Sequence, residues 1–265
     1  MDILNYLLYL SALVVGFVMG LLGGGGSILT IPIFVYMFGI SPVVATAYSL
    51  FVVGSTATVG SLKNFQQKTI DFRIGFLFGI PSLIGTYITR RYILPAMPDQ
   101  LCEIFGFALS KDLFVMILLA IMMVSASVSM IRAKSKEELD TSPASNLFTI
   151  ILGFIIGILT AFVGAGGGFI IVPVLVFLTC LPIKRAIGTS LFIIMMKSFV
   201  GFLGDLQTTV MDWNFLIIFS ILAAVGILIG VRVAKATKPD KLKKIFGWFI
   251  LIVGVYIIYK EIKGY

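Results

Sequence analysis

The chain has 265 residues, 59% hydrophobic and only 12% charged, with a mean hydropathy of +1.11. A soluble domain carries roughly twice that share of charge, so an ordinary water-soluble globule is excluded and a polytopic membrane protein is indicated. The net charge of +8 is expected on cytoplasmic loops rather than on a nucleic-acid surface; the two cysteines show no metal-type spacing, and a chain with no histidine has no place for His-based catalysis, His-ligated metals or haem.

In chain order, the first apolar run is 3–22. It starts on Asp2 rather than a basic residue and runs into glycines, so it reads as a retained helix and not a cleavable signal peptide. Four more segments follow at 28–38, 43–62, 73–90 and 112–131. A linker over 132–146, rich in Lys, Glu, Ser and Pro, reads as a solvated loop. Five further segments then appear at 147–163, 169–180, 185–203, 213–232 and 243–259. The second segment of each half has only 11 or 12 residues. As helix it covers about half of a ~30 Å hydrocarbon core, so it must re-enter or be completed by extended flanks. The stretch from Pro95 to Lys111 reads as a loop with room for a short surface helix.

The chain also repeats itself. Shifted by 141 residues, Gly16 to Arg91 aligns without a gap on Gly157 to Arg232, with 20 identities in 76 positions. Gly23, Gly25, Gly26 and Pro32 fall on Gly164, Gly166, Gly167 and Pro173, and Asp71 falls on Asp212. Apolar composition alone does not align glycines, prolines and aspartates in one register. The expected organisation is a first transmembrane repeat at 1–131, a cytoplasmic linker at 132–146 and a second repeat at 147–265. Lys63, Lys68 and Arg73 follow the third segment of the first half, whereas Asp205 and Asp212 follow its counterpart. Equivalent loops then lie on opposite faces. The fold expected is an all-α polytopic membrane protein of two inverted repeats, each of about five helical segments with the second short or re-entrant. An eight-crossing alternative with parallel halves puts those opposite charges on one face and fits less well.

Three features could carry chemistry. The glycine runs 23–26 and 164–168 break helices, free backbone amides and precede short helices, whose N-termini favour anions. The competing role is close helix packing. Ser190, Lys197, Gly201 and Gly204 share one face of a helix, as do Ser49, Thr56 and Gly60. Lys197 lies in an apolar segment with no acid a turn away, where an ammonium is costly unless paired, hydrated or snorkelling. Asp71 and Asp212 read as helix caps. Arg91 and Arg232 read as interfacial anchors, and Asn64, Gln66, Gln67, Asp205 and Gln207 as the rim of a vestibule. The resulting substrate-binding set is Gly25, Gly26, Ser27, Ser49, Thr56, Gly166, Gly167, Gly168, Thr189, Ser190 and Lys197. No catalytic residue is expected, because an intramembrane enzyme would need a buried nucleophile and base.

The stretches GLLGGGGSILTIP (20–32) and AFVGAGGGFIIVP (161–173), with Ala45-Thr46-Ala47-Tyr48-Ser49 and Ala186-Ile187-Gly188-Thr189-Ser190, resemble the TauE/SafE sulfite exporter family over essentially the whole chain. The resemblance implies a multi-pass carrier in the prokaryotic cytoplasmic membrane that handles sulfur-containing anions such as sulfite or sulfonates. A secondary transporter of a small anion is therefore expected. A passive anion channel or a membrane subunit of a larger complex is the alternative. The expected partners are the anion and the lipid bilayer, with no nucleic acid and with the oligomeric state open, a homodimer among the options.

Overall fold

A computed structural model describes residues 2–104, 107–132, 145–236 and 239–263. The linker predicted over 132–146 therefore falls, for 133–144, outside the described residues. Ten helices carry the fold: α1 (Asp2–Leu22), α2 (Thr30–Phe38), α3 (Pro42–Gln66), α4 (Phe72–Ile88), α5 (Lys111–Arg132), α6 (Asn146–Val163), α7 (Gly168–Thr179), α8 (Ile183–Asp205), α9 (Trp213–Ala236) and α10 (Pro239–Lys263). Six stretches among the described residues are long and apolar enough to cross a membrane, on α3, α4, α5, α6, α8 and α9. The 25 residues of α3 make a rod of ~37 Å. Large apolar side chains such as Leu10, Phe76, Ile80, Ile221, Ile252 and Val255 stand exposed on the outer helices. A soluble surface does not present apolar groups on that scale. The protein is a mainly helical polytopic membrane protein.

The short helices are completed differently in the two halves. Before α2, Gly25–Leu29 forms a 3₁₀ turn, so the first short segment is a 14-residue helical piece, Gly25–Phe38. The flank is helical rather than extended. α7 has only its own 12 residues. Phe34 anchors α2 by edge contacts to Tyr48 on α3 and to Phe215 and Phe219 on α9.

Two local expectations need correction. The fourth segment does not stop at residue 90: α4 runs on through a π-helical turn, Thr89–Ile93, to Ala96. Among the described residues, the 95–111 loop carries no surface helix beyond Ala96. Met97 turns extended before Pro98, as the steric demand of the following ring requires. The chain then pairs Gln100–Ile104 (β1) with Phe107–Ser110 (β2) as an antiparallel hairpin.

Helix pairs match between halves. α1 packs on α9 and α6 on α4; α3 packs on α8 and α5 on α10. Glycines allow the closest crossings. A Cβ on Gly153 would stand 2.7 Å from the Phe78 carbonyl oxygen, and one on Gly85 2.6 Å from that of Phe154. The contacts also give direction. Gly75 meets Phe192 and Gly79 meets Met196, so α4 and α8 run parallel. Phe51 meets Trp213 and Gly60 meets Ile227, so α3 and α9 run parallel. Gly54 meets Ser198 and Gly201 meets Leu50, so α3 and α8 run antiparallel.

Candidate functional site

The two glycine runs meet inside the bundle. A Cβ on Gly168 would stand 2.5 Å from the carbonyl carbon of Gly24, and Ile194 lies against both Gly24 and Gly166. The second run is built of left-handed turns: Gly164, Gly166 and Gly167 have φ of 68°, 63° and 75°. An L side chain costs roughly 1–2 kcal/mol in that region, which is why the chain uses glycine. The Gly164 amide donates back to Thr160 and Ala161. Among the described residues, the amides of Ala165, Gly166 and Gly167 make no turn or loop hydrogen bond. All three residues are buried. Consecutive free amides in such turns form a concave donor nest for an anion.

Buried cations stand at both ends of this nest. Lys197, 1% exposed, donates to Thr160 Oγ1, and its Nζ lies 3.1 Å from where a Cβ on Gly167 would stand. Among the described residues it has no carboxylate within ion-pair distance. Arg90 is fully buried, and its Nη2 lies 2.6 Å from the Cβ position of Gly164. Its Nη1 donates to Thr46 Oγ1 at 2.9 Å and lies 3.1 Å from Asp205 Oδ2.

The first run is lined differently. Gly23 is covered by Ile187, Gly24 by Ile194, and Gly26 packs on Met19 and Val15. Ser27 Oγ donates to the Gly24 carbonyl. Gly25 and Gly168 border an apolar cavity with Phe169, Val172, Phe177 and Ile187, which has no charged side chain in its lining.

The candidate residues thus fall into groups. Gly166, Gly167, Gly168 and Lys197 come together at the second run. Ser49 and Thr56 lie fully buried on the face of α3 that carries Val53, which touches Gly166; neither hydroxyl has a partner among the described residues. Ser198 Oγ, also without a partner, lies 3.4 Å from the Gly166 Cβ position. Gly25, Gly26 and Ser27 sit at the apolar run. Ser190 donates to the Gly23 carbonyl at 2.8 Å. Thr189 accepts the Asp71 amide at 2.9 Å, so it pins a helix start. Tyr48, its counterpart at the 141-residue shift, accepts the Asp212 amide at 2.7 Å. Asp71 and Asp212 cap α4 and α9 by accepting from Ile74 and Phe215, each at 3.1 Å.

The sequence places Asp205 on the rim of a vestibule and gives Arg90 no role. Both are buried and face each other. Arg90 lies within the π turn and is fully buried, while Arg91 beside it is partly exposed. The usable signal was the 141-residue register, which puts buried Asn64 opposite Asp205.

The profile of the family described as "Sulfite exporter TauE/SafE" matches residues 8–257. A probable membrane transporter protein of Xylella fastidiosa (strain 9a5c) is 26% identical over 250 residues, covering 93% of this chain and 92% of the relative. The probable membrane transporter protein YunE of Bacillus subtilis (strain 168) is 24% identical over 277 residues, covering 97% and 98%. A probable membrane transporter protein of Methanocaldococcus jannaschii is 33% identical over 114 residues, 41% of this chain and 43% of its own. No solved structure matches the chain. With the profile spanning nearly every helix described above, the chain belongs to the TauE/SafE sulfite exporter family of multi-pass membrane transporters.

Proposed function

We propose that this protein is a secondary transporter that moves a small anion, sulfite or an organosulfonate-type sulfur compound, across the cytoplasmic membrane. The observation that carries the reading is the buried ammonium of Lys197 beside the buried amides of Ala165, Gly166 and Gly167, which make no turn or loop hydrogen bond. An unpaired cation in a transmembrane helix costs at least about 2.5–3.5 kcal/mol. Buried amides without acceptors cost more still. An oxyanion offsets both penalties at once: it supplies the counter-charge and several acceptor oxygens in one small volume.

The helix directions support two inverted repeats around this site. α4 runs with α8, α8 against α3, and α3 with α9. Counterparts α4 and α9 therefore point opposite ways, the geometry on which alternating access by rocking of one repeat against the other depends. Thr46, Arg90 and Lys197 come from different halves of the chain, so relative motion of the halves would open and close the nest.

The test is sulfite flux in proteoliposomes with wild type and Lys197→Met. The carrier reading expects saturable flux with counter-flow in the wild type and its loss in the variant at equal folded yield. Unchanged flux in Lys197→Met removes the site, and flux without saturation or counter-flow removes the carrier.

A further inference from the structure

Arg90 and Asp205 sit at the Gly164 end of the nest and are given no task by the site as described so far. Arg90 is fully buried and Asp205 is 3% exposed. The pair is incompletely joined. Nη1 donates to Thr46 and lies 3.1 Å from Asp205 Oδ2 without an aligned hydrogen bond, and Nε and Nη2 of Arg90 make none among the described residues. The pairing of guanidinium and carboxylate is strongest when two N–H groups meet two oxygens in a fork. Here the fork is open, and its free Nη2 lies against Gly164, one residue before the run of unpaired amides. Arg90 also occupies the second position of the π turn, a widened turn that recurs at functional sites.

We propose that Arg90 is a second cationic ligand for the transported anion and that Asp205 holds its place when the anion is absent. This rests on the anion-carrier reading. An oxyanion at the Gly164–Gly168 nest takes the two free N–H groups of the guanidinium, bidentate, and Asp205 gives way. Return of the carboxylate to the guanidinium displaces the anion and lets it leave. The site thus binds through two cations yet does not trap its cargo. The duplicate positions carry no such device: Val231 stands at the place of Arg90, Asn64 at that of Asp205 and Ile187 at that of Thr46. The preferred substrate class is a trigonal or tetrahedral oxyanion with several equivalent oxygens, able to meet the fork, the amides and Lys197 together.

The test titrates sodium sulfite against the thermal unfolding of the purified full chain, since a ligand of the folded state raises its apparent stability. Arg90→Lys keeps the ion pair with Asp205 but lacks the fork, and half-saturating sulfite is expected to rise about tenfold, equal to about 1.4 kcal/mol. Asp205→Asn keeps the side-chain shape and removes the competitor, so half-saturating sulfite is expected to fall. Arg90→Lys binding sulfite as the wild type does overturns Arg90 as a ligand. Asp205→Asn binding no more tightly than the wild type overturns the competition. Lys197→Met separates the two levels: its loss of the sulfite response alongside an unaffected Arg90→Lys leaves the carrier site standing without this inference, and a wild type with no response to sulfite sinks both.

Discussion

Gly167→Ala isolates the packing of the nest from the backbone cost of a left-handed turn, because Gly39 supplies the control. Gly39 caps α2 with φ 66° and has nothing within 4 Å of where a Cβ would stand. Gly39→Ala should therefore cost the left-handed penalty alone, about 1–2 kcal/mol. Gly167 has φ 75°, and its Cβ would lie 2.5 Å from Thr160 Cγ2 and 3.1 Å from Lys197 Nζ. The same backbone penalty is then joined by overpacking of about 1–3 kcal/mol. The new methyl also presses on the Thr160–Lys197 contact, so the ammonium must leave either Thr160 or the loop. At roughly 2–4 °C per kcal/mol for a chain of this size, Gly167→Ala should unfold at least about 2 °C below Gly39→Ala. Gly39→Ala should keep the full sulfite-dependent rise, and Gly167→Ala should lose most of it. Equal unfolding temperatures and equal sulfite responses in the two variants would refute the packing of Lys197 on the loop.

Two further outcomes test the frame around the site. Asp71→Ala removes the cap that accepts the Ile74 amide, and Asp212→Ala the one that accepts from Phe215; each should lower stability by about 1 kcal/mol in denaturant unfolding and leave half-saturating sulfite unchanged. A shift in sulfite binding would instead place these carboxylates in the pathway. Gly153→Val puts branched carbons where a single Cβ already lies 2.7 Å from the Phe78 carbonyl oxygen. The α4–α6 crossing cannot close around it, and the yield of monodisperse folded protein should fall severalfold; normal yield would argue that the crossing is wider than described.

What the sequence made legible follows from local chemistry. The spans are visible because a membrane helix is a long apolar run. The glycine runs are visible because left-handed turns at 164, 166 and 167 admit little else. Lys197 is visible because a charge inside such a run is expensive. The illegible parts depend on distant partners or on a shift of register. Arg90 and Arg91 adjoin at the end of an apolar segment, where Arg91 reads as an anchor. Successive helix positions point about 100° apart, so Arg90 alone faces inward, to a carboxylate 115 positions away. Thr189 looks like a substrate hydroxyl on a polar stripe, but the amide it accepts belongs to Asp71 in the other half. The hairpin at 100–110 forms from a stretch with little alternation of apolar and polar residues, so nothing in it announces a strand.

The duplication and the site need to be separated, because they come from different residues. The glycines, the two prolines and the capping aspartates are shared between halves at the 141-residue shift, and they build the scaffold: two broken helices whose breaks touch at Gly24 and Gly168. The residues that charge one break are those the halves do not share. Thr46 stands against Ile187, Thr56 against Lys197, Arg90 against Val231, Asn64 against Asp205 and Met19 against Thr160. In the first run the side chains packed on Gly23 and Gly24 are Ile187 and Ile194, and the polar contact is the neutral Ser190 hydroxyl on the Gly23 carbonyl. Two charged breaks in contact would put four cations around one point, and their repulsion at low dielectric would grow with each pair. One charged break packed on one apolar break keeps the close approach that two glycine backbones allow and, under the proposed function, would confine the anion to the second run. On this argument, grafting charge onto the first run with Ile187→Lys should lower stability without adding a second sulfite-binding event, since no fork and no open nest face that position.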